Sequence, residues 1–355
     1  MSSSTGERAS QNRKIAIILF NLGGPDKPEA VRPFLFNLFN DKWIIAVPQP
    51  MRAAIATLIS TTRAKSARAN YAMMGGGSPI MPETTKQAEA LERTLAAAGR
   101  AETFKVFIAM RYWRPYAAEA AAAAKAWGAD EAILLPLYPQ FSSTTTASAA
   151  EAWAKVWKGK TRTVCCYPAG AQFAKAHADA IEAAWRAAGS PPRPRVLFSA
   201  HGLPQRTIDR GDPYQWQVER TVDAVRPLLP ADWDHQVCYQ SRVGPLQWIG
   251  PDTPAEIERA GKDGVGVIVS PIAFVSEHIE TLVELDHEYA ELAEECSVPF
   301  YIRAPALGAA DGFIGQLTAL VARALTAPYG AESETGSRIC PKAFGLCPMP
   351  LDKAA

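Results

Sequence analysis

Short apolar, β-branched runs recur along the chain, and each is followed by a longer stretch with helix-like spacing of its apolar positions. The runs are Ile15 to Phe20, Phe104 to Met110, Ala132 to Leu137, Thr161 to Cys166, Arg195 to Ser199, His235 to Tyr239, Val265 to Ser270 and Phe300 to Ile302. Such alternation predicts parallel strands with crossover helices. Apolar residues fill the runs almost continuously, as they do where helices cover both faces of a sheet. The rhythm runs twice, separated by an Ala- and Pro-rich stretch, and no sequence repeat accompanies it. Element order therefore predicts two similar α/β lobes around a cleft, each a parallel sheet flanked by helices. The expected divisions are a disordered leader over 1–13, an N-terminal lobe over 14–165, a C-terminal lobe over 166–325 and an extension over 326–355.

Hydrophobic residues make up 48% of the 355, enough for a large buried core. Thirty-seven Lys and Arg balance 36 Asp and Glu, and no block of like charge is long enough to follow a phosphate backbone, so a nucleic acid partner is not expected. The polar N-terminus lacks the apolar centre of a secretory signal, and no run approaches the ~18 apolar residues of a membrane span. A cytoplasmic chain is expected. Six scattered cysteines are too few for a disulfide scaffold, which leaves reduced thiols or metal ligation.

Ligands of such sheets bind outside the carboxyl ends of the strands. The loops there are strongly punctuated: Asn21 to Pro25, Arg111 to Trp113, Tyr138 to Gln140, His201 to Pro204, Gln240 to Pro245 and Pro271 to Phe274. No GxGxxG or GxxxxGK(S/T) pattern occupies the first strand-to-helix turn, so a nucleotide is not indicated. His201 stands where a strand must end, and reads either as a turn residue or as a catalyst. A second group comes from a helix that Ser276 can cap. At about 100° per residue, Glu277, Glu280, Glu284, Glu288 and Glu291 fall in one narrow arc, with Ile279, Leu282, Val283, Tyr289 and Ala290 broadly opposite. The arc is either a solvated acidic face or a proton-handling ladder. Like charges at i and i+4 with no interleaved Lys or Arg repel, and stacked, partly buried carboxylates raise one another's pKa. A histidine facing that ladder suits proton abstraction coupled to a hard or borderline divalent metal.

These residues together resemble the ferrochelatase family over about residues 14 to 325. The resemblance is carried by Leu197 to Pro204 with Arg210 to Tyr214, and by Asn21 to Pro25, Gly75 to Pro79 and Tyr138 to Ser142. Gln240 to Pro245 with Trp248, and Pro271 to Phe274 through Glu284 to Asp286, match as well. It implies two Rossmann-like lobes of the chelatase fold and insertion of Fe(II) into protoporphyrin IX, the last step of haem synthesis, with release of two protons. By family position Leu22, Tyr112, Tyr138 and Trp248 would line the porphyrin, while Arg63 and Ser78 would hold its propionates. His201 and Glu280 would face each other across the ring centre, one receiving protons and the other iron, in an order the sequence leaves open. Glu284 and Glu277 would carry protons outward, with His278 in the same catalytic set. Arg111 would position the side where metal arrives, or form a rim salt bridge.

Residues 33–78 would form a lip, whose apolar clusters Phe34 to Phe36 and Trp43 to Ile45 suit either peripheral membrane contact or a core helix. A coproporphyrin III ferrochelatase would want a more cationic rim. The His and Glu pattern would also suit a cobalt or nickel tetrapyrrole chelatase, and the fold a tetrapyrrole-binding protein without turnover. Some ferrochelatases hold a [2Fe-2S] cluster with one internal and three C-terminal cysteines. Cys166, Cys340 and Cys347 stand at such positions, but Lys342 and Met349 replace the usual fourth. Four thiolates are the ordinary requirement, and Cys165 could supply the last only if the strand end turned. Without a cluster the tail would be a remnant with free thiols. Cys238 and Cys296 read as core residues.

Overall fold

The computed structural model describes residues 13–242 and 244–351; of the expected leader all but Arg13 lies outside that range, as does Val243 of the Gln240 to Pro245 loop. All eight apolar runs form strands: β1 (Lys14–Asn21), β2 (Thr103–Met110), β3 (Glu131–Pro136), β4 (Lys160–Cys166), β5 (Arg195–His201), β6 (Asp234–Gln240), β7 (Val267–Pro271) and β8 (Tyr301–Arg303). A ninth, β9 (Gly330–Ser333), has no counterpart among those runs. One parallel sheet has the order β2-β1-β3-β4-β9 and the other β6-β5-β7-β8.

Both faces of the first sheet are covered, which is why β1 is apolar at every position from Ile15 to Phe20. Ile15, Ile17 and Leu19 pack with Leu91 and Leu95 of the helix Ile80–Ala97, while Ala16, Ile18 and Phe20 pack with Ala120, Ala121 and Ala124 of Ala117–Trp127. The small alanines at the centre of that contact let the second helix lie close to the sheet, with Trp127 packing on Phe107 of β2 at its end. In the second sheet Val196 and Phe198 face one core and Leu197 the other. The helix Ala171–Ala187 belongs to both lobes: Phe173 and Ala176 enter the first core, Ala174, Ala178 and Ile181 the second.

Chain order and lobe membership part company near the C-terminus. The helix Asp311–Thr326 buries Phe313, Leu317, Leu320 and Val321 in the first core, and β9 then pairs with β4. An apolar helical face says that it is buried, not which sheet it covers. Truncating the fully buried Leu317 to alanine would cost about 2–5 kcal/mol.

The ends of β1, β3, β5 and β7 line a common cleft, and buried polar side chains tie its two walls together. Gln87 donates to the carbonyls of Val275 (2.7 Å) and Gly308 (3.1 Å), and Gln140 donates to the Thr221 hydroxyl (2.9 Å). No helix among the described residues is long and apolar enough to cross a membrane.

Candidate active site

β5 ends at His201, and the next residue explains the turn. A Cβ on Gly202 would sit 2.9 Å from the Gln240 carbonyl oxygen, so only glycine lets the chain close against the end of β6. The Trp248 ring lies over the same glycine, 3.4 Å from that point. His201 thereby faces a cleft whose apolar lining includes Leu22, Leu38, Ile44, Tyr138, Leu203 and Phe274, and whose polar lining includes His278 and Glu280. A groove of about 800 Å³ over β2 is larger but holds no histidine or cysteine.

His201 Nδ1 lies 2.7 Å from Glu280 Oε2. The expectation that these groups face each other across a porphyrin is therefore corrected: aromatic carbon needs roughly 3.5 Å on each face, and no plate fits between atoms 2.7 Å apart. Both occupy one side. Burial opposes charge on His201, but the neighbouring Glu280 carboxylate outweighs it and raises the imidazole above its ordinary value. Burial likewise opposes ionisation of Glu280, and the His201 charge overcomes it, holding the carboxyl at about 2.

The glutamate segment is not the expected α-helix. Glu280–Glu288 is π-helical, with Glu277 and His278 outside it, and Ser276 does not cap it: its hydroxyl donates to Gln87 (3.1 Å). The wider turn brings residues i and i+5 together. Tyr289, expected opposite the carboxylates, consequently donates its hydroxyl to Glu284 (2.7 Å). Glu277 does not stack behind Glu280 either. It accepts from Arg303 (2.6 Å) and from the Ala306 amide (2.9 Å); burial favours its neutral form, but Arg303 prevails and lowers its pKa.

Behind Glu280 and Glu284 sits Ser241, a residue to which the sequence assigned no role. Its hydroxyl lies 3.1 Å from Glu280 Oε2 and 2.5 Å from Glu284 Oε2, and its amide donates to Glu284 Oε1 (2.8 Å). To do this it adopts φ 64°, a left-handed backbone that a side chain disfavours. Gln240 completes the support. Its side-chain Oε1 accepts from the Ser199 hydroxyl (2.7 Å), which directs Nε2 to the Glu280 main-chain carbonyl (2.9 Å) and Glu284 Oε2 (3.0 Å). Burial lowers the pKa of His278, leaving it neutral; with Nδ1 donating to the Ser276 carbonyl (3.1 Å), Nε2 keeps a lone pair.

Other expected substrate contacts divide. Leu22 and Tyr138 line the cleft, and the Tyr138 hydroxyl is buried without a protein partner. Tyr112 is 1% exposed and donates to Asp41 (2.9 Å), which also accepts from Arg111 (2.7 Å) and Ser148. Arg111 is thus a salt bridge that fixes the lip between Leu38 and Ile44. Ser78 accepts from the Ile80 amide (3.3 Å) at a helix start, and Arg63 is exposed on Met51–Met73; neither Ser78, Arg63 nor Trp248 is among the cleft-lining residues.

Cys165, Cys166, Cys340 and Cys347 share one buried cluster. Neighbours on a strand normally point apart, yet a register shift between Val164 and Cys166 against β9 brings the Cys165 and Cys166 sulfurs to 3.3 Å. Cys340 Sγ accepts from the Gln217 side-chain amide (3.1 Å), and Cys347 packs in the same cluster. Among the described residues no three His, Cys, Asp or Glu side chains stand ready to hold a single metal ion.

The ferrochelatase family's sequence model matches residues 14–325. A ferrochelatase of Phenylobacterium zucineum is 56% identical over 340 residues, covering 94% of this chain and 97% of that one, and a ferrochelatase of Caulobacter vibrioides is 55% identical over 338 residues, covering 95% and 97%. In fold the chain is similar to SirB from Bacillus subtilis with Fe3+, with a TM-score of 0.53 at 12% identity over 88% of this chain and 96% of that one. With its two parallel sheets, its cleft and full-length relatives at this identity, the chain belongs to the ferrochelatase family.

Proposed function

We propose that the cleft between the sheets is where this chain inserts Fe(II) into protoporphyrin IX, exchanging one metal ion for two pyrrole protons. The observation that carries the assignment of roles is the His201–Glu280 pair backed by Ser241 and Glu284. With Nδ1 bound to Glu280, the deprotonated His201 offers Nε2 to a pyrrole N–H. A proton arriving there has a way out through Glu280, the Ser241 hydroxyl and Glu284. The lone pair of His278 Nε2 suits a borderline cation such as iron. Leu22, Tyr138, Leu203 and Phe274 supply the apolar walls a flat macrocycle needs, and Tyr138 has a hydroxyl free to donate. The described lining contains no Lys or Arg, which favours a substrate with two carboxylates over one with four.

Anaerobic incubation with Fe(II) and either protoporphyrin IX or coproporphyrin III, following loss of porphyrin fluorescence, tests the reading. Tight porphyrin binding without insertion would make the chain a binding protein; preference for coproporphyrin III would reassign the substrate.

Two finer proposals accompany it. Cys165, Cys166, Cys340 and Cys347 present, in one buried cluster, the four thiols a [2Fe-2S] cluster requires. When bound, such a cluster would link β4 to the C-terminal segment. Exposed Met51 and Leu58, seven residues apart and so on one face of Met51–Met73, support peripheral contact of the lip with a lipid surface. Loss of vesicle co-sedimentation in Leu58→Asp is the expected result, and undiminished binding would reject the contact.

A further inference from the structure

Asp212 is fully buried, and its carboxylate collects four donors from two lobes. Oδ2 accepts the Ser142 hydroxyl (3.0 Å), the Ser143 amide (2.7 Å) and the Ser143 hydroxyl (2.6 Å), all from the segment that follows β3; Oδ1 accepts the Tyr214 amide (3.0 Å). Burial raises its pKa against the effect of those bonds. A buried carboxylate is a costly way to fill space, and it persists where its donors are worth fixing.

Two of the three residues that supply those donors, Ser142 and Tyr214, line the cleft from opposite lobes. The Ser142 hydroxyl oxygen also receives the Thr144 amide (3.1 Å), which sets Thr144 and Thr145 in the same wall. Asp212 and Ser143 themselves do not line the cleft. We infer that Asp212 is a positioning residue: it fixes the distance between the Ser142–Thr145 wall and the Tyr214 wall, and so sets the fit of the porphyrin without touching it. The inference rests on the cleft being the porphyrin site.

An asparagine has one acceptor oxygen and cannot serve both sets of donors, so in Asp212→Asn one wall is released. The expected result is a porphyrin KM raised about tenfold, the equivalent of one lost hydrogen bond to a charged group. kcat, its pH profile and the KM for Fe(II) stay within about twofold, because His201 and Glu280 keep their own bond. Ser143→Ala, which removes one donor and is the milder change, shifts the porphyrin KM in the same direction by about threefold. The double variant is no worse than Asp212→Asn, since both act through one contact. A residue that only stabilised the fold would lower the melting temperature or kcat and leave the porphyrin KM unchanged; that outcome in both variants overturns the inference. Wild-type protein that fails to bind or metallate porphyrin would instead overturn the site assignment.

Discussion

His201 and Glu280 meet at 2.7 Å, ring Nδ1 against carboxylate Oε2, and each holds the other in its charged form. The raised imidazole contributes stability that is complete below its unfolded value of 6.5 and is lost as pH rises through the folded value. Glu280 contributes stability present above 4.5 and lost as pH falls towards about 2. Between those limits the pair is imidazolium and carboxylate, and an imidazolium accepts no proton. Iron insertion should therefore climb with pH through the raised His201 value. Glu280→Gln removes the main attraction and leaves burial to act, so the His201 midpoint followed by NMR should drop below that of the wild type. An unmoved midpoint would remove Glu280 as the cause.

Ser241 is the bridge between two carboxylates that would otherwise repel. Ser241→Ala keeps the amide bond to Glu284 but deletes the hydroxyl, and should lower kcat about tenfold or more while leaving porphyrin affinity intact. Ser241→Gly also relieves the left-handed backbone, so it should melt higher than the alanine variant and be no more active. Turnover at the wild-type rate in both would show that protons leave by another route.

The thiol proposal turns on Cys165, whose sulfur is available only because β4 slips in register beside β9. Anaerobically purified protein should contain about two iron and two sulfide per chain, and Cys165→Ser should lose as much of both as Cys340→Ser. Full iron in Cys165→Ser would remove it from the ligand set, and an iron-free, colourless wild type would leave four reduced thiols as a core.

That register slip marks the limit of what the chain alone discloses. β1 to β8 are legible because each carries an apolar run long enough to demand burial on both faces, and their loops follow. β9 reads Gly-Ala-Glu-Ser, with nothing to mark it as a strand, so the turned strand end at Cys165 stood only as a condition, without the partner strand that brings it about. The glutamate arc assumes an α-helical pitch, and the π-helical turn moves Tyr289 onto it. The ladder also looks free of basic residues when only neighbours in sequence are in view. Arg303 reaches Glu277 from β8 and takes it out of the proposed proton path. His201 and Glu280 are legible as partners, while their placement on one side of the cleft depends on β5, β6 and the π-helix meeting in three dimensions.

The helix shared by the two cores carries a group that couples their union to pH. His177 in Ala171–Ala187 is 1% exposed, edge-on to the Phe173 ring at 4.7 Å, and its Nε2 has no hydrogen-bond partner. Burial alone lowers its pKa from 6.5 to about 3. The native protein thus keeps it neutral while the unfolded chain protonates it below 6.5, so this residue draws stability down as pH falls from 6.5 towards 3, by about 1.4 kcal/mol per unit. Between pH 6.5 and 5 the loss should reach about 2 kcal/mol. Because Phe173 and Ala176 on one side and Ala174, Ala178 and Ile181 on the other belong to different cores, the first consequence should be separation of the lobes. His177→Leu fills the site without a titrating group. Urea unfolding at pH 7 and pH 5 should show a smaller acid loss in this variant than in the wild type, and equal losses in both would place the acid-sensitive group elsewhere.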